Sequence, residues 1–178
     1  MAQTKIKIGQ TDVADSTTTL TNKTLTNPTI NFTDKAVAQN VRCSVYLGTA
    51  SSGITNASFT KIDFDTELYD TGGDFDTANS RFVAPVSGYY LVNMNVTWTT
   101  VTADKYYSCA IYVNGSRVEK TWNFTHSSVA SFLSNGVSAV VYVGSGQYIE
   151  GYVYHAAGVN TPVVRADRTG IDIMLLST

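Results

Sequence analysis

The run Tyr89 to Trp98 constrains this chain more than any other. Tyr90, Val92, Met94, Val96 and Trp98 fall on one face, and Asn93, Asn95 and Thr97 on the other. A helix would scatter these residues around its circumference. A strand sorts them into an apolar and a polar side. A sheet with one apolar face needs a second layer to bury it. The rest of 41–178 supplies that layer. Val41 to Leu47 and Phe59 to Phe64 read as strands. Tyr107 to Val113 runs into Asn114 and Gly115, a two-residue hairpin signal, and returns through Arg117 and Val118. Val137 to Val143, the turn Gly144 to Gly146, and Tyr148 to His155 read as another hairpin. Ile171, Ile173 and Leu175 give the last strand an apolar face. With no helical periodicity anywhere, the expectation is all-β, a sandwich or jelly roll.

Composition narrows the partners. Lys and Arg number 12 against 14 Asp and Glu, so there is no basic field for nucleic acid and no polybasic patch for lipid. Charged residues make up 15%, against roughly 25% in an ordinary soluble domain. That deficit suits a chain that buries surface against copies of itself. No stretch nears the roughly 18 apolar residues of a membrane helix, so no membrane insertion is expected. Met1 to Ile8 has no apolar core of the kind a secretory signal carries. A reducing compartment is therefore expected, with Cys43 and Cys109 as buried free thiols rather than a bridge. The six Asn-x-Ser/Thr sequons then reflect only a Thr- and Asn-rich composition.

Residues 1–40 differ from the rest. Leu20, Leu25 and Ile30 place one large apolar residue every five positions among Thr, Asn and Pro. Five is neither the helical nor the strand period. One copy cannot bury enough apolar surface to fold and reads alone as a disordered tail. Three copies wound about a common axis can point Leu20, Leu25 and Ile30 inward. Thr18 to Asn31 also resembles the "LTNKTLT-x-PTI" element of tailed-bacteriophage virion proteins, common in tail fibres. That resemblance implies an attachment and trimerisation segment contacting other virion proteins.

Over 41–178 the chain resembles the C1q-like domain of the C1q/tumour necrosis factor superfamily. Phe59 to Phe64 matches that family's "F-x-K-V" strand. Asp74 to Val92 matches its signature segment, with Phe82, Pro85, Gly88 and Tyr90 at the marked positions. Asn114 and Gly115 sit at its central hairpin turn, and Gly146 to Tyr154 resembles its "G-D-x-V-x-V-x-V" strand. Ser80 stands where Gly is usual, Gln147 replaces Asp, and Ile171 to Ile173 lacks the closing Phe and Gly. The resemblance implies a jelly-roll knob, a tight homotrimer, and binding without catalysis.

Chemistry is sparse. Asp63, Asp65 and Asp70, with Glu67, Asp74 and Asp76 beside them, are oxygen donors near a Gly72–Gly73 turn. Oxygen ligands on a flexible loop are what calcium prefers, and the family resemblance adds that some C1q-like domains bind it near the trimer axis. A solvated acidic turn is the plainer reading. His155 shares a strand face with Ile149, Gly151 and Val153, which suggests a packed imidazole. His126 lies in an expected loop, with no Gly-x-Ser-x-Gly elbow to support a triad. The pairs Asp63/Asp65 and Asp74/Asp76 have the residue types of a glycosidase, but nothing joins them, so no enzyme is expected. Among the eleven Tyr, Tyr89, Tyr90, Tyr148, Tyr152 and Tyr154 lie on strands. With Phe82 they are expected in the core or a trimer interface. Tyr106, Trp122 and Phe124, near expected loops, are candidates for stacking on a saccharide.

The functional expectation is a homotrimeric phage virion protein, with a tail-fibre or tail-tip knob that binds host-surface glycan. The alternatives are a capsid decoration protein or head fibre, which the short chain favours, and a secreted bacterial C1q-like binding protein.

Overall fold

A computed structural model of the chain describes residues 41–128, 131–158 and 163–178. The expected thread of Leu20, Leu25 and Ile30 lies outside these residues. Strand β6 (Gly88–Thr99) is the longest element. All five apolar positions read from its alternation, Tyr90 to Trp98, are buried. It sits in a first sheet ordered β10 (Leu133–Val143), β6, β13 (Gly170–Ser177), β1 (Arg42–Tyr46), β3 (Thr66–Asp70), with β12 (Val163–Val164) also on β6. The second sheet runs β4 (Phe75–Asp76), β5 (Arg81–Val83), β11 (Tyr148–His155), β7 (Lys105–Val113), β8 (Ser116–Arg117). There β2 (Thr60–Lys61) pairs with β11, and β9 (Asn123–Ser127) with β7. Every pairing is antiparallel.

The two inner faces close on one core. Cys43, Val45, Val92, Trp98 and Ile173 come from the first sheet, and Phe82, Tyr107, Cys109, Ile149 and Val153 from the second. Trp98 packs 5.1 Å from Tyr107 and 6.1 Å from His155, ring centre to ring centre. Its indole N–H donates to Asn135 Oδ1 at 3.2 Å, and Asn135 Nδ2 donates to the Tyr107 carbonyl at 3.3 Å. His155 is fully buried. Its Nδ1 accepts from the Ala157 N–H at 3.2 Å, so Nε2 carries the proton donated to the Ile54 carbonyl at 2.8 Å. Burying both ring nitrogens is affordable only because both are bonded.

Asn114 and Gly115 have φ of 49° and 77°, both positive, as a type I′ turn requires, and join β7 to β8. The second expected hairpin does not form, because β10 belongs to the first sheet and β11 to the second. The Gly144–Gly146 turn crosses the end of the sandwich beside Ala84–Ser87, which joins β5 to β6 and crosses too. Ser145 stitches the two, its N–H donating to Ser87 Oγ at 2.9 Å and its hydroxyl to the Pro85 carbonyl at 3.0 Å. The strand expected over Phe59 to Phe64 pairs only at Thr60–Lys61, while Ile62 and Phe64 turn into the core. Ser80 has φ of 44°, the left-handed region that favours glycine, and its buried hydroxyl donates to the Phe64 carbonyl at 3.1 Å. That bond offers an anchor where Gly was expected.

Candidate functional site

Two surfaces stand out, one on the outer face of each sheet. On the first sheet, strand alternation turns Tyr89, Leu91, Asn93 and Asn95 of β6 outward. The register sets Tyr142 opposite Tyr89, Val140 and Met174 opposite Leu91, and Ser138 and Asp172 opposite Asn93. The face is therefore graded along the strands. One end is an apolar stripe of Tyr89, Leu91, Val140, Tyr142 and Met174. Val140, Tyr142 and Tyr89 are 55%, 60% and 51% exposed, a cluster too apolar to be ordinary free surface. The other end opens into a depression of about 610 Å³, where Ser44, Asn93, Asn95 and Asp172 alternate with Tyr46, Leu68 and Val137. There the Ser44 hydroxyl donates to Asp172 at 2.5 Å.

The second sheet carries an aromatic layer. Strand β7 presents small residues, Ser108 and Ala110, between Tyr106 and Tyr112, and this floor lets rings close over it. Phe59 lies 5.8 Å from Tyr112, 5.6 Å from Trp122 and 5.2 Å from Tyr154. Trp122 lies 4.6 Å from Phe124, and Phe124 6.0 Å from Tyr106. His126 on β9 packs 5.2 Å from Tyr106. The Arg117 guanidinium stands 4.2 Å above Trp122 and pairs with Glu119 at 3.2 Å. Beside this layer Tyr112 and Tyr152 stack at 3.9 Å, and Lys61 pairs with the buried Glu150 at 3.3 Å. Burial, then the neighbouring Glu150 charge, pushes the Tyr152 hydroxyl above its ordinary range.

The expected site residues divide. Phe82 and Tyr90 are in the core, 5.7 Å apart. Tyr148, Tyr152 and Tyr154 are not, because Ile149, Gly151, Val153 and His155 take the inward positions of β11. A Cβ on Gly151 would stand 2.5 Å from Met94 Sδ. Tyr148 instead lies under Arg81, 5.0 Å from the guanidinium, and Tyr152 and Tyr154 join the outer aromatic layer. Tyr106, Phe124 and Trp122 are brought together, with Tyr106 and Phe124 on paired strands rather than loops.

Asp63, Asp65 and Asp70 are not gathered into one site. Asp65 accepts from the Gly48 and Thr49 N–H groups, and Asp70 from those of Gly72, Gly73 and Phe75. They shape the turns around them. Asp63 is exposed. Among the described residues no three His, Cys, Asp or Glu side chains are grouped to hold a metal ion. Sequence reasoning missed Tyr142, Val140 and Met174. Their signal was present in the alternation of β10 and β13, read for its buried side alone.

Residues 46–153 match the model of the C1q domain family. The chain belongs to the C1q domain family. Its fold is similar to the globular domain of zebrafish complement 1qA protein, with a TM-score of 0.58 and 13% identity over 78% of this chain and 98% of that one. It is also similar to Eiger TNF from S. frugiperda, with a TM-score of 0.57 and 11% identity over 78% and 94%. At such identities the likeness shows the fold, a C1q/TNF-like jelly roll. A curated Bacillus subtilis (strain 168) relative, uncharacterized protein YqcC, is 30% identical over 122 residues, 63% of this chain and 32% of that one. The chain thus spans about a third of that relative's length.

Proposed function

We propose that this C1q-domain protein is a homotrimeric knob on a tailed-bacteriophage virion, displayed on a tail fibre or tail tip and binding the host surface. The observation that carries self-assembly is the stripe of Tyr89, Leu91, Val140, Tyr142 and Met174 on the outer face of the first sheet. Burying it against two further copies removes apolar area from water at about 25 cal/mol per Å². The other end, with Asn93, Asn95 and Asp172, supplies the hydrogen bonds that fix register between copies. The virion setting is supported by Thr18 to Asn31, whose word order resembles the phage element. Three copies multiply any weak surface site at high effective concentration.

Immunogold labelling of intact particles with antibody to this chain tests the setting. Gold on the tail is the expected result. Gold over the head would instead support capsid decoration or a head fibre. Particles without gold, alongside free protein in a phage-free culture medium, would overturn the virion reading for a secreted C1q-like binding protein.

A further inference from the structure

We propose that Tyr106, Phe124 and Trp122 form a saccharide-binding shelf on the outer face of the second sheet. The inference names a ligand class for the host-surface binding proposed above and rests on that reading. The three rings follow one another at steep angles, Tyr106 to Phe124 at 6.0 Å and 77° and Phe124 to Trp122 at 4.6 Å and 52°, so each offers its own face or edge, and they are 52%, 50% and 37% exposed. They are held in place before any ligand arrives. Trp122 is fixed by Phe59 at 5.6 Å and Arg117 at 4.2 Å, and Phe124 by Tyr154 at 6.0 Å. Rings already ordered lose little freedom on binding.

The occupant follows from size and chemistry. A protein partner needs roughly 800 Å² on each side, whereas this shelf is three rings long. Polar groups stand beside it, the Tyr106 hydroxyl and His126, whose ring lies 5.2 Å from that of Tyr106. Arg117 is already paired with Glu119. A pyranose fits both features. Its C–H face lies on an aromatic ring, and its hydroxyl edge needs nearby donors and acceptors. The shelf is on the sheet opposite the self-association stripe, so three copies remain free to bind at once.

The test presents full-length wild type, Trp122→Ala and Tyr106→Ala to an immobilised panel of defined neutral and N-acetylated oligosaccharides. Wild type is expected to be retained by at least one member. Each variant is expected to bind it at least about tenfold more weakly, at unchanged native mass. Trp122 also packs on Phe59, so if Trp122→Ala fails to fold, Tyr106→Ala, whose ring packs at the rim on Phe124 and His126, decides alone. Retention by no member, or equal retention of wild type and Tyr106→Ala, overturns the shelf. Equal retention leaves host binding standing at another surface. Absence of gold on particles would remove the virion reading whatever the panel shows.

Discussion

Tyr89 and Tyr142 face each other across β6 and β10, ring centres 5.4 Å apart and planes at 68°, each with more than half its surface in water. An edge-to-face aromatic pair of this kind is ordinarily found inside a protein or an interface. Its exposure in a single chain is what points to a second copy.

Replacing Tyr142 with Lys should therefore separate the copies without unfolding the knob. Val141 and Val143, its neighbours on β10, face inward and are untouched. A surface change of this kind costs within about 0.5 kcal/mol in one chain, whereas a charge buried unpaired between copies costs several-fold more. Sedimentation at micromolar concentration should find Tyr142→Lys at the mass of one chain. An assembly of wild-type mass would show that the stripe is not the interface.

Asn135 should matter to stability out of proportion to its size. It accepts from the Trp98 N–H and donates to the Tyr107 carbonyl, and it is itself buried. Asn135→Ala leaves the buried Trp98 N–H without its partner, a loss of about 1–3 kcal/mol. The urea midpoint should fall at unchanged slope. A midpoint equal to wild type would mean that water replaces the amide.

Cys43 and Cys109 should be chemically silent in the folded protein. Burial pushes the Cys109 thiol up to about 12. Cys43 is raised further, by burial first and then by the charges of Asp70 and Asp74. Thiolate is the reactive form. At pH 8 a thiol reagent should modify neither until denaturant is added. Rapid modification without denaturant would contradict the buried placement.

Acid should act oppositely through Asp74 and Asp65. Burial, then the Asp70 charge, raises Asp74 above its ordinary 3.8. Its ionised form therefore costs stability above the folded value, and the cost vanishes below 3.8. Asp74→Asn should stabilise at pH 7 and do nothing at pH 3. At Asp65 slight desolvation is outweighed by hydrogen bonds from Gly48, Thr66 and Thr49, which hold it below 3.8. Its contribution is present above 3.8 and is lost as pH falls through the folded value. Asp65→Asn should destabilise at pH 7, the difference shrinking in acid. Thermal melts of both variants across pH 3–7 check the opposite signs.

Much of the fold was legible because β6 alternates cleanly and Asn114–Gly115 fixes its own turn. The crossing at Gly144–Gly146 was not, since a short Gly-rich turn looks the same whether it joins neighbours in one sheet or passes between two. What decides is the bond network of Ser145 to Ser87 and Pro85, residues distant in sequence. The site was half legible. Tyr106, Phe124 and Trp122 were identifiable as aromatics near expected loops. Phe59, which packs on Trp122, lies more than sixty residues earlier in the chain and meets it only after folding. The tyrosines of β11, expected in the core or at an interface, face outward, because strand parity gives the inward positions to Ile149, Gly151 and Val153.

The most direct test of the account is the native mass of the full-length protein by light scattering. Three times the 19.2 kDa chain mass is the result expected if the first-sheet stripe joins three copies. A mass of one chain at micromolar concentration would contradict self-assembly and leave a lone C1q-like sandwich.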